Sequence, residues 1–196
     1  NDAAIDSFGH RFAMRGKPGK RKIISRNNAY HGATYVAAAL TGIHGTKYGF
    51  AQVGEDFIHH ISAADCYARP DGMTEDAYCD LLVKEFEMRI DQLGPQNVAA
   101  FIAEPIMGAG GVLVAPKGYH KRMQAVCRRH DILYIADEVV TAFGRLGEWF
   151  ASDAIFETQP DILVSAKGIT SGYIPLGATL ISDEIYDVIS RPQCEG

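Results

Sequence analysis

Ile132-Leu133-Tyr134-Ile135-Ala136-Asp137-Glu138 and Asp161-Ile162-Leu163-Val164-Ser165-Ala166-Lys167-Gly168 are the two stretches that decide the fold. Each is a short apolar run that ends abruptly on a charge. Runs with no polar and apolar alternation belong to strands buried on both faces, as in a parallel sheet covered by helices. Val98 to Ala103 followed by Glu104 repeats the pattern.

Working outward, the spacing of Leu81, Leu82, Phe86 and Ile90 predicts an amphipathic helix over 74–93, with Thr74 as its cap and Gly94-Pro95 as its stop. Further helices are expected over 3–15, 33–40, 117–129 and 184–189, and strands over 22–25, 57–60 and 178–181. Most of 42–71 lacks periodicity and reads as loop. The order predicts an α/β fold: three layers, an open and mostly parallel sheet with helices on both faces.

At 196 residues, with 47% hydrophobic and 22% charged residues, the chain suffices for a single domain, 1–196. It starts as if inside a helix at Asn1 and stops at Gly196 without a structural finish, which suggests a fragment of a longer protein, truncated at both ends. A net charge of −5 offers no basic face for nucleic acid, and Lys17 to Lys22 reads as a solvated turn. No apolar run is long enough to span a membrane. Cys66, Cys79, Cys127 and Cys194 form no C-x-x-C pair, so neither a metal site nor a disulfide framework is indicated, and a cytoplasmic setting is expected.

In open α/β sheets, ligands bind beyond the carboxyl ends of the strands. Glu104, Asp137 and Lys167 each follow such an end, which places them along one edge. A lysine amine forms a Schiff base with a carbonyl when neutral, and a carboxylate nearby can hold a protonated ring nitrogen. Together these are the requirements of pyridoxal phosphate. Tyr30 and Val139 could pack on the two faces of its ring.

These residues resemble a known family. Tyr30-His31-Gly32, Glu104-Pro105-Ile106-Met107-Gly108-Ala109-Gly110-Gly111, Asp137 through Gly147 and Ser165-Ala166-Lys167-Gly168 occur in the order seen in class III aminotransferases. The resemblance implies the large domain of a fold type I pyridoxal-phosphate transferase, with the small domain missing. It also implies transfer of an amino group from an ω-amino acid or amine to a keto acid such as pyruvate, through a Lys167 Schiff base. Asp137 would hold the pyridinium, Tyr30 and Val139 would sandwich the ring, His31 and Gly32 would lie near it, and Glu104 would support the site. The family further implies a homodimer. Its phosphate-binding turn would end at Asn1. Ala109 stands where members acting on ornithine or 4-aminobutyrate carry a second glutamate, which favours other ω-amino acids and amines. Arg145 is expected to be structural.

Other readings are a same-fold aminomutase, a non-catalytic scaffold, or a nucleotide-binding domain in which Asp137-Glu138 holds magnesium. The last lacks a phosphate-binding loop, since Gly16-Lys17-Pro18-Gly19-Lys20 has the wrong spacing. His10, His44, His59, His60, His120 and His130 read as ordinary loop histidines. Tyr48, Phe50 and Phe57 could frame a channel but fit packing better, and Tyr173 could approach a partner subunit.

Overall fold

The computed structural model describes residues 1–48, 54 and 56–191. Phe50 and Cys194 lie outside them. In chain order the regular elements are α1 (Asp2–Met14), β1 (Lys22–Arg26), α2 (Tyr35–Leu40), β2 (Ile58–Ile61), α3 (Glu75–Leu93), β3 (Val98–Ala103), β4 (Ile106–Met107) and β5 (Leu113–Val114). They continue with α4 (Tyr119–Arg129), β6 (Leu133–Asp137), α5 (Ala151–Ala154), β7 (Ile162–Ser165), β8 (Ala178–Ile181) and α6 (Asp183–Ile189).

Six strands form one sheet in the order β2-β1-β3-β6-β7-β8, parallel except for the β7–β8 pair. The apolar run of β3 is buried at every position because both of its faces are covered. On one face Ile24, Phe101 and Tyr134 pack with α3 and α4; on the other Ile23, Ile102 and Ile135 pack with α1 and α6. Successive strand residues thus go to opposite layers. Ala99 and Ala100 are an exception, sharing one layer, and the pairing of β1 with β3 slips there from Lys22↔Val98 to Ile23↔Ala100.

Phe86 on α3 packs against Phe101 with ring centroids 4.7 Å apart and the rings tilted by 45°. Each such buried ring contributes about 1.5–3 kcal/mol through removal of apolar surface from water. Thr74 caps α3, its hydroxyl accepting from Ala77 N at 3.2 Å.

The Lys17–Lys22 turn is less solvated than its composition suggests. Lys20 is buried, with Nζ donating to the carbonyls of Pro95 (3.3 Å) and His130 (3.0 Å), and Lys17 pairs with Asp131 at 2.8 Å. His59 and His60, read as ordinary loop histidines although a strand was expected over 57–60, lie on β2. His120 lies buried on α4. Among the described residues no helix is long and apolar enough to cross a membrane.

Candidate active site

From β1 the chain pairs β2 on one side and then returns to add β3 on the other, so the strand order reverses between β1 and β3. A crevice beyond the carboxyl ends at such a point is where open α/β sheets hold ligands. Glu104 and Tyr30 meet across it. The Glu104 carboxylate is buried and accepts from Tyr30 N through Oε1 and from Gly108 N through Oε2, both at 3.0 Å. It supports the site through hydrogen bonds to backbone, which leaves the half-exposed Tyr30 side chain at the surface of the crevice.

Two glycines permit the close approach of these loops. A Cβ on Gly110 would fall 2.2 Å from the carbonyl oxygen of Asn28, which only a hydrogen allows. On Gly168 a Cβ would sit 3.0 Å from that of Phe143, so the backbone room beside Lys167 is taken by Phe143.

Asp137, the last residue of β6, is buried, and His31 is brought to it from the β1 side. His31 Nδ1 lies 2.8 Å from Asp137 Oδ2, Asn1 Nδ2 donates to the same oxygen at 2.9 Å, and Val139 N donates to Oδ1 at 3.2 Å. Burial alone would push this carboxyl up. The His31 and Asn1 hydrogen bonds and the Val139 amide outweigh it and hold Asp137 below the ordinary carboxylate value. Because an ionised carboxylate only accepts, the proton on Nδ1 of His31 points at Asp137. Its Nε2 is buried with no partner among the described residues.

Lys167 follows β7, whose Val164 pairs directly with Asp137. Its side chain is exposed rather than enclosed, and it opens on a cavity of about 550 Å³ with Gly108, Val112, Val140, Phe143 and Arg145 on the walls. Arg145, expected to be structural, is exposed and makes no hydrogen bond or ion pair among the described residues. Gly32 adopts φ +132, a conformation open to glycine, in the turn that carries His31. Val139 is partly buried and packs towards the α1 and α6 layer.

Three residues carry structure here that their place in the sequence did not disclose. Glu138 is wholly buried and accepts from Thr141 Oγ1 (3.0 Å), Ala151 N (2.7 Å), Ser152 N (2.8 Å) and Ser152 Oγ (2.6 Å), so it closes the loop between β6 and α5 instead of facing a metal. Arg26 is buried at the end of β1 and donates to the Glu104 carbonyl at 2.6 Å. The signal for both was a charge inside an apolar run, which demands partners. His120 sits below the same turn, with Nε2 2.9 Å from Pro105 O and Nδ1 2.8 Å from the Tyr134 hydroxyl. A carbonyl only accepts, so Nε2 holds the proton and Nδ1 accepts from Tyr134. Burial, with the nearby Arg26 charge, pushes His120 down to about 3 and keeps it neutral.

The Aminotransferase class-III family profile matches residues 3–195. The chain is 45% identical over 194 residues to a protein of Solanum lycopersicum named gamma aminobutyrate transaminase 1, mitochondrial, covering 96% of this chain and 36% of the relative. Among solved structures it is similar to an omega transaminase from Pseudomonas jessenii in complex with PMP, at TM-score 0.93 and 42% identity, covering 97% of this chain and 42% of that one. An (S)-enantioselective omega-transaminase from Thermomicrobium roseum superposes at TM-score 0.94 and 40% identity, covering 100% and 44%. The chain therefore spans less than half of the length of these relatives. With the family profile running nearly end to end over a sheet that ends three neighbouring strands on Glu104, Asp137 and the Lys167 loop, the chain belongs to the class-III aminotransferases.

Proposed function

We propose that the protein containing this chain is a pyridoxal-phosphate-dependent aminotransferase that moves an amino group from an ω-amino acid or amine to a keto acid such as pyruvate. The observation that carries this reading is the buried, ionised Asp137 beside the strand that delivers Lys167. A carboxylate has about four lone-pair sites. Asn1, His31 and Val139 fill three of Asp137's. The fourth suits the N–H of a protonated pyridine ring, so the residues present fit pyridoxal phosphate.

When bound, this cofactor supplies an aldehyde for amines and an electron sink for the carbon that loses a proton. Asp137 keeps a positive charge favourable at the ring nitrogen, and His31 with Asn1 orients Asp137. Tyr30, anchored through its amide to Glu104, would cover one face of the ring and Val139 the other, with Gly32 allowing the His31 turn. Lys167 Nζ would supply the amine for the cofactor's aldehyde, and the same nitrogen would accept and return the proton that is moved. The cavity beside Lys167 admits the amino donor, then the keto acid.

The donor class draws support from relatives named for gamma-aminobutyrate and from solved omega transaminases. Resemblance to 4-aminobutyrate transaminases weakens the expectation, drawn from Ala109, of a donor other than 4-aminobutyrate. We read residues 1–196 as the cofactor-binding part of a longer chain that works as a homodimer, with the exposed Trp149, Tyr173 and Ile174 available to a second copy. The free cysteines described, Cys66, Cys79 and Cys127, suit a reducing compartment, the cytoplasm or the mitochondrion named for several relatives.

Borohydride reduction of the full-length protein after loading with pyridoxal phosphate tests the reading. The expected product carries the cofactor mass on Lys167, and Lys167→Ala carries none. A parent protein that fixes no cofactor at Lys167 sinks the proposal. Donor screening with pyruvate then tests the donor class, since reaction of 2-amino acids alone would exclude ω-amino acids and amines.

A further inference from the structure

Among the described residues, seven that are not glycine adopt a left-handed backbone, with φ between +47° and +62°. Asn28 and Asp131 are of types that tolerate it. Of the other five, Glu157 and Ser171 lie elsewhere, while Val112 (φ +56°), Phe143 (φ +57°) and Lys167 (φ +47°) all line the same 550 Å³ cavity. Strain of this kind costs about 1–3 kcal/mol per residue and persists only where something else requires it.

For Phe143 the requirement is visible in its contacts, and for Lys167 it lies in the proposed function. Phe143 donates its amide to Trp149 O at 2.8 Å and packs its ring on Phe150 and Trp149, at 5.6 and 6.2 Å between centroids. Lys167 heads the turn after β7, in which Ile169 N donates to Ala166 O at 3.2 Å, and it supplies the amine that the proposed function uses. Val112 has no such account. It is β-branched, the worst type for this conformation, and it is 70% exposed, so its side chain contributes nothing to the core. Its turn is closed by its own amide donating to Gly108 O at 3.1 Å, a bond that any residue with an N–H makes. Glycine would adopt the same backbone without strain, and the chain already uses glycine at 110 and 111. What valine adds over glycine is an isopropyl group on the wall of the Lys167 cavity.

We propose that Val112 is a specificity-determining residue, whose fixed isopropyl group limits the size of the carbon substituent that can lie beside the reacting amine. A β-branched side chain has little χ1 freedom, so it makes a wall that does not swing aside. The inference rests on the amino-transfer reading of the cavity, and binding measurements separate the two.

The test uses the full-length protein and its V112G, V112A and V112L variants. Calorimetry measures the affinities of 4-aminobutyrate and of the bulkier 1-phenylethylamine, and turnover with pyruvate is followed in parallel. In V112G the bulky amine should gain about tenfold relative to 4-aminobutyrate, the range one or two methyl groups in a pocket command, and in V112L it should lose about as much. V112A should fall between V112G and the parent. The thermal midpoint of V112A should hold or rise, because β-branched strain is relieved and no packing is lost. An unchanged preference in all three variants overturns the proposal. So does a clearly lowered V112A midpoint, which would mean that the side chain packs against another part of the protein. A shifted preference in a protein that turns over no donor would leave the wall standing and remove the amino-transfer reading.

Discussion

His120 shows how a single residue can be misread from its neighbours in the chain. It reads as an ordinary loop histidine, yet it is buried and holds Pro105 O and the Tyr134 hydroxyl. Its partners lie 14 and 15 positions away, and no local pattern announces them. Burial gives it a measurable signature. With a folded value of about 3 against 6.5 in the unfolded chain, the unfolded state binds more protons throughout that window. The stability it contributes is fully present above pH 6.5 and is lost as the pH falls towards 3, at a limiting slope of about 1.4 kcal/mol per pH unit. Urea unfolding of the parent and of H120Q between pH 4 and 7 should show a shallower slope in the variant, and equal slopes would mean that His120 is not neutral in the fold. Asp137, Lys167 and Glu104 were legible because a charge directly after an apolar strand has few structural uses. The exposure of Lys167 was not, since nothing in the sequence shows which loop covers a strand end.

At the level of elements, long periodic or continuously apolar segments were legible and short ones were not. The expected ends of β3, β7 and β8 coincide with those observed, and α3 starts at its Thr74 cap. Helix α2 begins only at Tyr35, after Thr34 in an extended conformation, where a start at Ala33 was expected. The hairpin of β4 and β5 and the single turn of α5 escaped notice, because two- and four-residue elements have no periodicity and arise from tertiary contacts alone. Yet that hairpin loop joins the turn after β1 through the Gly110 contact with Asn28. Placing a methyl group there forces the two segments apart, so G110A should cost about 1–3 kcal/mol in chemical unfolding, as overpacking does. A variant as stable as the parent would show that the two loops are not locked together.

On the scale of the whole molecule, the alternation of strands and helices gave the three-layer parallel arrangement, while the strand order could not be read, because it depends on which edge each new strand chooses. The order matters: it puts the β1 loop with Tyr30 and His31 next to Glu104 and within reach of Asp137. Asn1 completes the group from the far layer. As the N-cap of α1 it makes no side-chain capping bond, and instead its amide joins Asp137 Oδ2 to the carbonyl of His31. Helix α1 is thereby tied to the charge state and occupancy of a group at the end of β6. Thermodynamic linkage makes the tie reciprocal: a ligand that binds only when Asp137 is correctly held stabilises every segment whose opening would release it. Amide exchange in α1 should therefore slow when the full-length protein is saturated with pyridoxal phosphate, while exchange in α3, which packs on the other face of the sheet, should change less. If α1 and α3 respond alike, the tie carries no energy. If α1 alone responds, a helix that does no chemistry is the gauge by which occupancy of the site can be followed in solution.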